Sequence, residues 1–236
     1  MNIILIDADS LCYIGGSCED VNQAFDKVDV ALSNIIEKSN STHYQIFVEK
    51  SGNNNFRKKI VKSYKEGRKN KELPMFYKEI KEYLIGSWNA YGISGYESDD
   101  LIVSAWRKAK REYPFNEVLI ASMDKDLKQY PIKMFDTYYS RFGTIHDVSN
   151  EDAEYNFYYQ MILGDSTDSI KGVKGKGKKK AEDALNGAKN KFIATCRVYR
   201  SVYGSRWQKH FISNYVQVKL LDNLNVTLDF NQAEFE

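Results

Sequence analysis

Four short runs of apolar residues set the strongest limit on what this chain can fold into. They read NIILI, YQIFV, EVLIA and IKMF, and they precede Asp7, Glu49, Asp124 and Asp136 respectively. Apolar runs of this length are typical of strands that are buried on both faces of a sheet. Amphipathic helical patterns lie between them, at residues 20–38, 75–91 and 98–110. The alternation predicts an α/β fold with a mostly parallel central sheet flanked by helices.

The pattern changes near residue 151, after which the apolar periodicity is helical. One segment rich in glycine and lysine interrupts it. We therefore predict an α/β core over residues 1–150 and a smaller helical subdomain over residues 151–236. A chain of 236 residues, of which 42% are hydrophobic, can bury a core of this size.

Composition narrows the function only weakly. The net charge of +2 indicates no particular partner. The cysteines, Cys12, Cys18 and Cys196, match no metal-binding spacing, which predicts reduced thiols in an intracellular protein. The start, MNIILIDAD, becomes acidic too early for a signal peptide, and no apolar run reaches transmembrane length. We expect a cytoplasmic protein without a membrane partner.

Acidic residues collect where the predicted strands end. In an open parallel sheet, ligands bind in the crevice beyond the carboxyl ends of the strands. Three of the predicted strands lead there to an acid, and further acids lie in the motifs YESDD, MDKD and GDSTD. The candidate metal-binding residues are Asp7, Glu49, Glu97, Asp99, Asp100, Asp124, Asp126, Asp165 and Asp168.

Taken singly, these acids have ordinary explanations. Glu97, Asp99 and Asp100 suit the start of a helix, and Asp124 and Asp126 suit a loop after a strand. Taken together in one crevice, they would repel one another unless divalent cations neutralised them. Oxygen ligands favour Mg²⁺, or Mn²⁺ in its place, over Zn²⁺, and the three histidines are isolated from one another. Two such ions would suit chemistry on a phosphodiester.

The segment IKGVKGKGKKKAEDAL sets glycines and lysines directly after the last acids. Its glycines permit a tight hairpin with exposed backbone N–H groups, and a helix follows whose positive end would face the same side. Such a hairpin can hold the phosphate backbone of a duplex without reading its bases. The alternative is a flexible, lysine-rich linker. The candidate DNA-binding residues here are Gly172, Lys174, Gly175, Lys176, Gly177, Lys178 and Lys179.

Five motifs in fixed order give the chain a recognisable pattern. They are LIDADSL, FRKKIVKSYKEGR, YESDD, SMDKDLKQ and GDSTDSIKGVKGKGKKKA, spread over residues 3 to about 185. As a set they resemble the 5′→3′ exonuclease and flap endonuclease family, in its compact stand-alone bacteriophage form and in the 5′ nuclease domain of bacterial DNA polymerase I. Residues from about 190 onward resemble the family only in their helical character.

The resemblance assigns roles to individual residues. Asp7, Glu97 and Asp99, with Asp100 close by, match the acids around a first metal ion, and Asp124, Asp126, Asp165 and Asp168 match those around a second. Lys65 and Arg68 resemble basic residues at the base of a helical arch, here about residues 55–92, that admits a single-stranded 5′ end. Arg57 resembles a further phosphate contact, although a solvated, charged helix would also explain this basic stretch. The residues implied to carry catalysis are Asp7, Asp99, Lys65 and Arg68.

The segment from about 160 to 187 resembles a helix-three-turn-helix that binds duplex DNA, where related proteins hold a K⁺ ion through backbone carbonyls. The family implies a structure-specific 5′ nuclease that uses two metal ions on DNA with 5′ flaps or free 5′ ends, and on RNA:DNA hybrids. Replication proteins would be its partners, and a phage protein would work in the host cytoplasm. Two alternatives stay open, a non-cleaving DNA clamp of the same fold and a toxin-type ribonuclease.

Two positions depart from the family pattern. Glu49 stands where the family usually has Asp, which predicts a shifted geometry for metal binding there. Ile14, after Tyr13, stands where the family often has Arg, so one phosphate contact is expected to be lost or supplied elsewhere.

Overall fold

The computed structural model describes residues 2–50, 54–68 and 72–233 of the chain. Its centre is a six-stranded sheet with the order β5-β4-β3-β1-β2-β6. The strands are β1 (Asn2–Asp7), β2 (His43–Phe47), β3 (Glu117–Ala121), β4 (Lys133–Phe135), β5 (Ile145–Asp147) and β6 (Asn231–Gln232). The inner four strands run parallel, and β5 and β6 pair antiparallel to β4 and β2. The mostly parallel α/β sheet predicted from the apolar runs is confirmed.

Helices cover both faces of this sheet and continue beyond it. They are α1 (Val21–Lys38), α2 (Phe56–Ile60), α3 (Tyr77–Ser87), α4 (Ser98–Glu112), α5 (Asn150–Leu163), α6 (Lys178–Leu185), α7 (Lys191–Tyr203) and α8 (Trp207–Val218). One apolar cluster joins α1 and α3 to the sheet, and a second joins α4 to the opposite face. The central residues of β1 are fully buried, as expected for a strand covered on both sides. None of the described helices is long and apolar enough to cross a membrane.

The helices after residue 150 form a cluster of their own. Met161, Tyr199 and Val218 lie at its centre, and Tyr64, which follows α2, also belongs to it. The Tyr199 hydroxyl donates a hydrogen bond to the Met161 carbonyl at 2.5 Å and accepts one from the Asn214 side chain. The predicted helical character of this region is therefore observed.

The end of the chain departs from the helical pattern. The helical subdomain was predicted to reach residue 236, but α8 ends at Val218 and the chain then returns to the sheet. Leu220 and Val226 are buried in the same apolar cluster as α4, and β6 pairs with β2. The apolar residues after Val218 were misread as one helical face because they pack against the sheet core instead. The division of the chain at residue 150 stays a prediction.

The predicted arch at about 55–92 contains α2, a single 3₁₀ turn at Glu66–Arg68 and α3. Residues 69–71, the end of the basic stretch, lie outside the described residues. The arch itself therefore stays a prediction. The structure describes the residues at its predicted base, and these contact the acidic edge of the sheet.

Candidate active site

A cavity of about 400 Å³ opens at the carboxyl edge of the parallel strands. It lies beyond the ends of β1, β2 and β3, where the sequence pattern predicted a binding crevice. Every predicted acid except Asp100 lines it, and so do Lys65 and Arg68. The acids in its wall are Asp7, Asp9, Glu49, Glu97, Asp99, Asp124, Asp126, Asp165 and Asp168.

One group of these acids sits at the strand ends and is named here the inner acids: Asp7, Asp99, Asp124 and Asp126. Their hydrogen-bond partners are uncharged. The Ser98 and Ser122 hydroxyls donate to Asp7 at 3.3 and 3.0 Å, and the Gln160 amide donates to Asp126 at 2.9 Å. Within the described ranges, no basic side chain forms an ion pair with any of the four. Their mutual repulsion is therefore compensated only in part, by the charge of Lys65 near Asp99 and that of Lys125 near Asp126.

Burial and this repulsion raise the pKa values of three of the inner acids. Burial raises the pKa of Asp7 to about 7, and the carboxylates of Asp9 and Asp124 add to the shift. Burial, followed by the charge of Asp124, raises the pKa of Asp126 to about 7 as well. The pKa of Asp99 is raised well above its ordinary value by burial and then by Asp124 and Asp7. A divalent cation among these oxygens would remove this penalty.

A second group, named here the salt-bridged acids, consists of Glu97, Asp100, Asp165 and Asp168. Each is neutralised by a basic side chain. Glu97 accepts hydrogen bonds from Lys65, from the Tyr64 hydroxyl at 2.9 Å and from Arg57 at 3.1 Å.

Asp168 and Asp165 are the other two members of this group that line the cavity. Asp168 is paired with basic residues at the base of the predicted arch, and Asp165 with a lysine in the loop after β3. Asp168 accepts from Arg68 and lies 3.7 Å from the Lys65 ammonium, and Lys125 donates to Asp165 at 2.7 Å. These pairs hold the basic groups at the edge of the cavity.

The basic partners change the pKa values of this second group. Burial acts to raise the pKa of Glu97, but Lys65 and Arg57 outweigh it and hold the pKa below its ordinary value. The same balance, with Lys125 as the partner, lowers the pKa of Asp165. Burial outweighs Lys65 and Arg68 at Asp168, so the pKa of that carboxyl stays raised. Glu97 and Asp165 are therefore ionised at neutral pH.

Lys65 joins the base of the arch to the acidic turn before the hairpin. Its backbone N–H donates to the Asp168 carbonyl at 2.8 Å, and the Gly67 N–H donates to the Ser169 hydroxyl at 3.2 Å. The φ of Lys65, 53°, lies in the left-handed region, which is uncommon for a residue with a side chain. The ammonium is directed into the cavity by these constraints, and Glu97 and Asp168 raise its pKa against the effect of burial. It is therefore a fixed cation.

Asp100 and Arg57 do not occupy the places predicted for them. Both side chains are completely buried, and the guanidinium holds the Asp100 carboxylate at 2.6 and 2.7 Å. Arg57 also donates to the Lys219 carbonyl at 2.8 Å, and Asp100 accepts from the Leu221 N–H at 2.8 Å. The roles predicted for Asp100 as a metal-binding residue and for Arg57 as a phosphate contact stay predictions, which this burial does not support. Neither reaches the cavity surface, and together they tie the first turn of α4 to α2 and the end of the chain.

Asp9 is a residue of this site that the sequence prediction missed. Its carboxylate accepts two bonds from the Glu49 N–H, at 3.0 and 3.1 Å, and lies 3.6 Å from the Lys81 ammonium. Burial, followed by the charges of Glu97 and Asp9, raises the pKa of Glu49. The available signal was the spacing of Asp7 and Asp9 in LIDADSL, which places both acids at the end of one buried strand. Lys125 was missed as well, because its partner Asp165 is distant in sequence.

The glycines of the hairpin between α5 and α6 differ in their surroundings: one is tightly packed and two are open to solvent. Gly172 is buried with φ 58°, and a Cβ there would lie 2.4 Å from the Leu163 carbonyl. A side chain would not fit there, although Gly172 also lines a surface cavity with Lys171 and Lys174, so its role as a DNA contact stays a prediction. A Cβ on Gly175 or Gly177 would meet nothing within 4 Å. The Val173 and Lys174 N–H groups donate within the protein, contrary to the expectation of exposed donors along the whole hairpin.

The hairpin lysines lie on the outside. Lys174, Lys178 and Lys179 are exposed and Lys176 is half-buried, so their ammonium groups are available to a partner. The helix α6 begins at Lys178, directly after Gly177, as the sequence indicated. The arrangement is a helix, a segment of turns and a second helix. That this arrangement is a helix-three-turn-helix stays a prediction.

The donor chemistry of the cavity suits hard divalent cations, because every inner acid offers carboxylate oxygens and none is neutralised. Among the described residues, no three acids, cysteines or histidines converge closely enough to enclose an ion in this conformation. Ligation therefore requires side-chain rotation of the inner acids toward one another. Their raised pKa values show what opposes that approach without a cation.

Comparison with known proteins agrees with this geometry. Residues 16–156 match the family described as 5′-3′ exonuclease, N-terminal resolvase-like domain. The chain is 32% identical over 168 residues to a 5′-3′ exonuclease of Mycoplasmopsis pulmonis, an alignment that covers 66% of this chain and 54% of the relative. It is 29% identical over 197 residues to the flap endonuclease Xni of Shewanella frigidimarina, with 78% and 72% covered. The chain thus spans about half the length of the first of these relatives.

Among solved structures, the chain resembles the T5 D15 protein that was co-crystallised with metal ions. The TM-score is 0.66 at 16% sequence identity, and the alignment covers 94% of this chain and 90% of that one. At this identity the likeness concerns the fold.

Proposed function

We propose, since the chain belongs to the 5′-3′ exonuclease family, that it is a structure-specific nuclease that hydrolyses DNA phosphodiester bonds at free 5′ ends and 5′ flaps. The observation that carries the proposal is one cavity in which carboxylates without an ion-pair partner face two cations, Lys65 and Arg68. Phosphodiester hydrolysis needs both features, because the attacking water must be activated and the phosphate charge must be balanced.

The inner acids are the residues we propose for metal binding, with Glu49, Glu97, Asp165 and Asp168 as further ligands. Mg²⁺ is the proposed ion, in two copies, and Mn²⁺ is expected to replace it because both prefer oxygen ligands. When bound, such ions lower the pKa of water and balance the charge of a phosphodiester. A K⁺ ion at the hairpin and replication partners remain predictions from the family resemblance alone. The cytoplasmic location remains a prediction from the cysteines and the apolar pattern of the sequence.

The chain's own cations would bind and orient the scissile phosphate. Lys65 is held between Glu97 and Asp168, so a phosphate that enters the cavity meets an ammonium already in position. Arg68 lies on the other side of Asp168 and is half exposed, which leaves the guanidinium accessible to the same strand. Preorganised donors of this kind stabilise developing charge at little reorganisation cost.

The hairpin lysines would hold the duplex beside the cleavage site. Replacing Lys174, Lys176 and Lys178 together by Ala should weaken duplex binding for all sequences alike and lower the slope of log K against log salt by about one per lost phosphate contact. Fluorescence anisotropy at several salt concentrations measures both quantities. A slope equal to that of the unmodified protein would return this segment to the linker interpretation.

Cleavage of a labelled 5′-flap duplex, with Mg²⁺ or with EDTA, tests the proposal directly. A nuclease releases the flap only with Mg²⁺, a DNA clamp binds the duplex and releases nothing, and a toxin-type ribonuclease cuts single-stranded RNA but not the flap. An RNA:DNA hybrid in the same assay tests the wider substrate range. Asp147→Asn is a matched control, because Asp147 is an exposed acid on β5, opposite the first residue of β4 and thus at the other edge of the sheet.

A further inference from the structure

A group of exposed aromatic side chains follows β4. The segment Asp136–Ile145, named here the aromatic loop, leads from β4 into β5 through a 3₁₀ turn at Tyr139–Arg141. Tyr139 is 98% exposed, and Tyr138, Phe142 and Ile145 are 48%, 39% and 48% exposed. Large apolar side chains rarely gather at a loop tip unless something covers them.

The loop is fixed rather than loosely tethered. The buried Asp136 carboxylate accepts from the Tyr138 N–H at 2.8 Å and from the Arg141 guanidinium at 2.6 Å. That guanidinium lies 5.0 Å from the centre of the Tyr138 ring, and Phe142 packs edge-to-face on the buried Phe135. The Tyr138 and Phe142 rings held in this way lose little conformational entropy when they bind a partner, and Tyr139 projects from the turn between them.

The loop stands beside the acidic cavity. The Ser122 N–H, at the end of β3, donates to the Phe135 carbonyl at the end of β4. Met123 and Asp124 follow Ser122 and line the cavity, whereas Asp136 follows Phe135 and begins the loop. The two segments therefore leave the same edge of the sheet from neighbouring strands, which lie about 4.8 Å apart. A nucleic acid strand in the cavity would pass within a few nucleotides of the aromatic rings.

We propose that the aromatic loop stacks unpaired nucleobases of a DNA strand next to the bond that is cut. Tyrosine rings with a neighbouring arginine are a general stacking surface, because every base has a π-face and the contact tolerates any sequence. The hairpin lysines bind backbone phosphates of a duplex, so the loop adds a contact that only single-stranded bases can make. The inference rests on the proposed function, since it takes a DNA strand in the cavity as its starting point.

The test compares Tyr139→Ala with Phe115→Ala. Phe115 is 100% exposed and precedes β3, so it lies at the opposite edge of the sheet and controls for loss of an exposed ring. Binding of the full chain in EDTA is measured by anisotropy with a 5′-flap duplex and with a blunt duplex. We expect Tyr139→Ala to weaken flap binding by about fivefold or more and to leave blunt-duplex binding unchanged. Tyr139→Phe should bind like the unmodified protein, because the ring is retained.

A second readout locates the contact. Single 2-aminopurine substitutions along the unpaired strand should show quenching at one or two positions, and Tyr139→Ala should abolish it while Phe115→Ala preserves it. Equal flap affinity in Tyr139→Ala and the unmodified protein would overturn the inference. So would a solution dimer that Tyr139→Ala dissolves, since a second copy would then cover the rings.

The two proposals can fail separately in these experiments. Tyr139-dependent base quenching without any Mg²⁺-dependent cleavage would reject the proposed nuclease function and keep the stacking surface. Cleavage of the flap with Tyr139-independent binding would reject the stacking surface alone.

Discussion

The inner acids and the salt-bridged acids are chemically alike, yet the fold places them in opposite electrostatic states. Asp99 and Asp100 are neighbours in the first turn of α4, and Asp99 faces the cavity among other carboxylates while Asp100 is buried against Arg57. The inner acids repel one another, and a bound metal cation would relieve this repulsion. The salt-bridged acids instead hold basic side chains and backbone groups in place. A count of acids in a motif therefore overstates the number available to a metal.

The largest expected effect is on catalysis, where members of both groups are needed. Asp124→Ala and Asp168→Ala should each lower single-turnover flap cleavage on the order of 10³-fold or more, because either change removes an oxygen ligand or frees the cations that meet the phosphate. Binding of the flap in EDTA should change little, since the hairpin lysines remain. Asp147→Asn should cleave at the original rate, and an active Asp124→Ala would remove the inner acids from the proposed site.

Substitutions of the neighbouring residues Asp99 and Asp100 should change the stability of the protein in opposite directions. Asp100→Asn leaves the buried Arg57 without its charged partner and should lower the free energy of unfolding by about 3 kcal/mol or more. Asp99→Asn removes repulsion among the inner acids and should raise that free energy when divalent ions are absent. Urea denaturation in EDTA measures both changes. If the two variants shift stability in the same direction, the division into two groups is mistaken.

Lys65 connects the two groups, because it is held by Glu97 and Asp168 and faces the cavity. Lys65→Ala should lower single-turnover cleavage by on the order of 10²-fold, since the loss of one well-placed donor in the transition state costs about 3 kcal/mol. Flap affinity should fall less, because the hairpin shares the ground-state binding. Lys65→Arg should recover part of the rate. A rate within about twofold of the original for Lys65→Ala would reduce the residue to a structural partner of the salt-bridged acids.

The last expected effect is a dependence of stability on pH, to which the inner acids contribute together with Glu49 and Asp168, whose pKa values are also raised. The pKa of Asp7 and of Asp126 is raised from 3.8 to about 7, so between these values the folded protein keeps protons that the unfolded chain has lost. The folded state then binds more protons, and stability should fall as the pH rises through this window.

Urea denaturation in EDTA at about pH 4.5 and about pH 7.5 measures this fall. Asp7→Asn should flatten the dependence, and Mg²⁺ should restore stability at the higher pH because it binds only the ionised, folded state. Stability that rises over the same window would contradict the raised pKa values of the inner acids, because acids whose pKa is lowered on folding change stability only below about pH 4.5.

Much of the sheet and its acidic edge could be predicted because the signals are local. Each apolar run became a strand within about one residue of its predicted bounds, since burial on both faces demands continuous apolar side chains. The parallel order then places the strand ends at one edge, which explains why Asp7, Glu49 and Asp124 line the same cavity. The start of α6 at Lys178 was also predictable, because the glycines before it cannot extend a helix stably.

The missed features depend on residues that are distant in sequence. Arg57 pairs with Asp100, and nothing near either residue indicates that both will be desolvated together. The short outer strands β5 and β6 hold few residues, and their pairing is decided by the sheet edges already present. The apolar residues after Val218 follow a helical period by chance but fill a gap beside α4. Tertiary context decided each of these cases.

The return of the chain to its own core at Lys219 and Leu221 bears on how the protein is made. The contact of Arg57 with the Lys219 carbonyl spans 162 residues, and that of Asp100 with Leu221 spans 121. Contacts of such separation close late in folding, because the entropy of a long loop is lost before the contact repays it. A ribosome that adds residues from the amino end would thus present the acidic edge well before the buried guanidinium and carboxylate are sealed. On the proposed function, we expect the nascent chain to lack nuclease activity until residue 221 has emerged, so that translation itself delays the moment at which cleavage can begin.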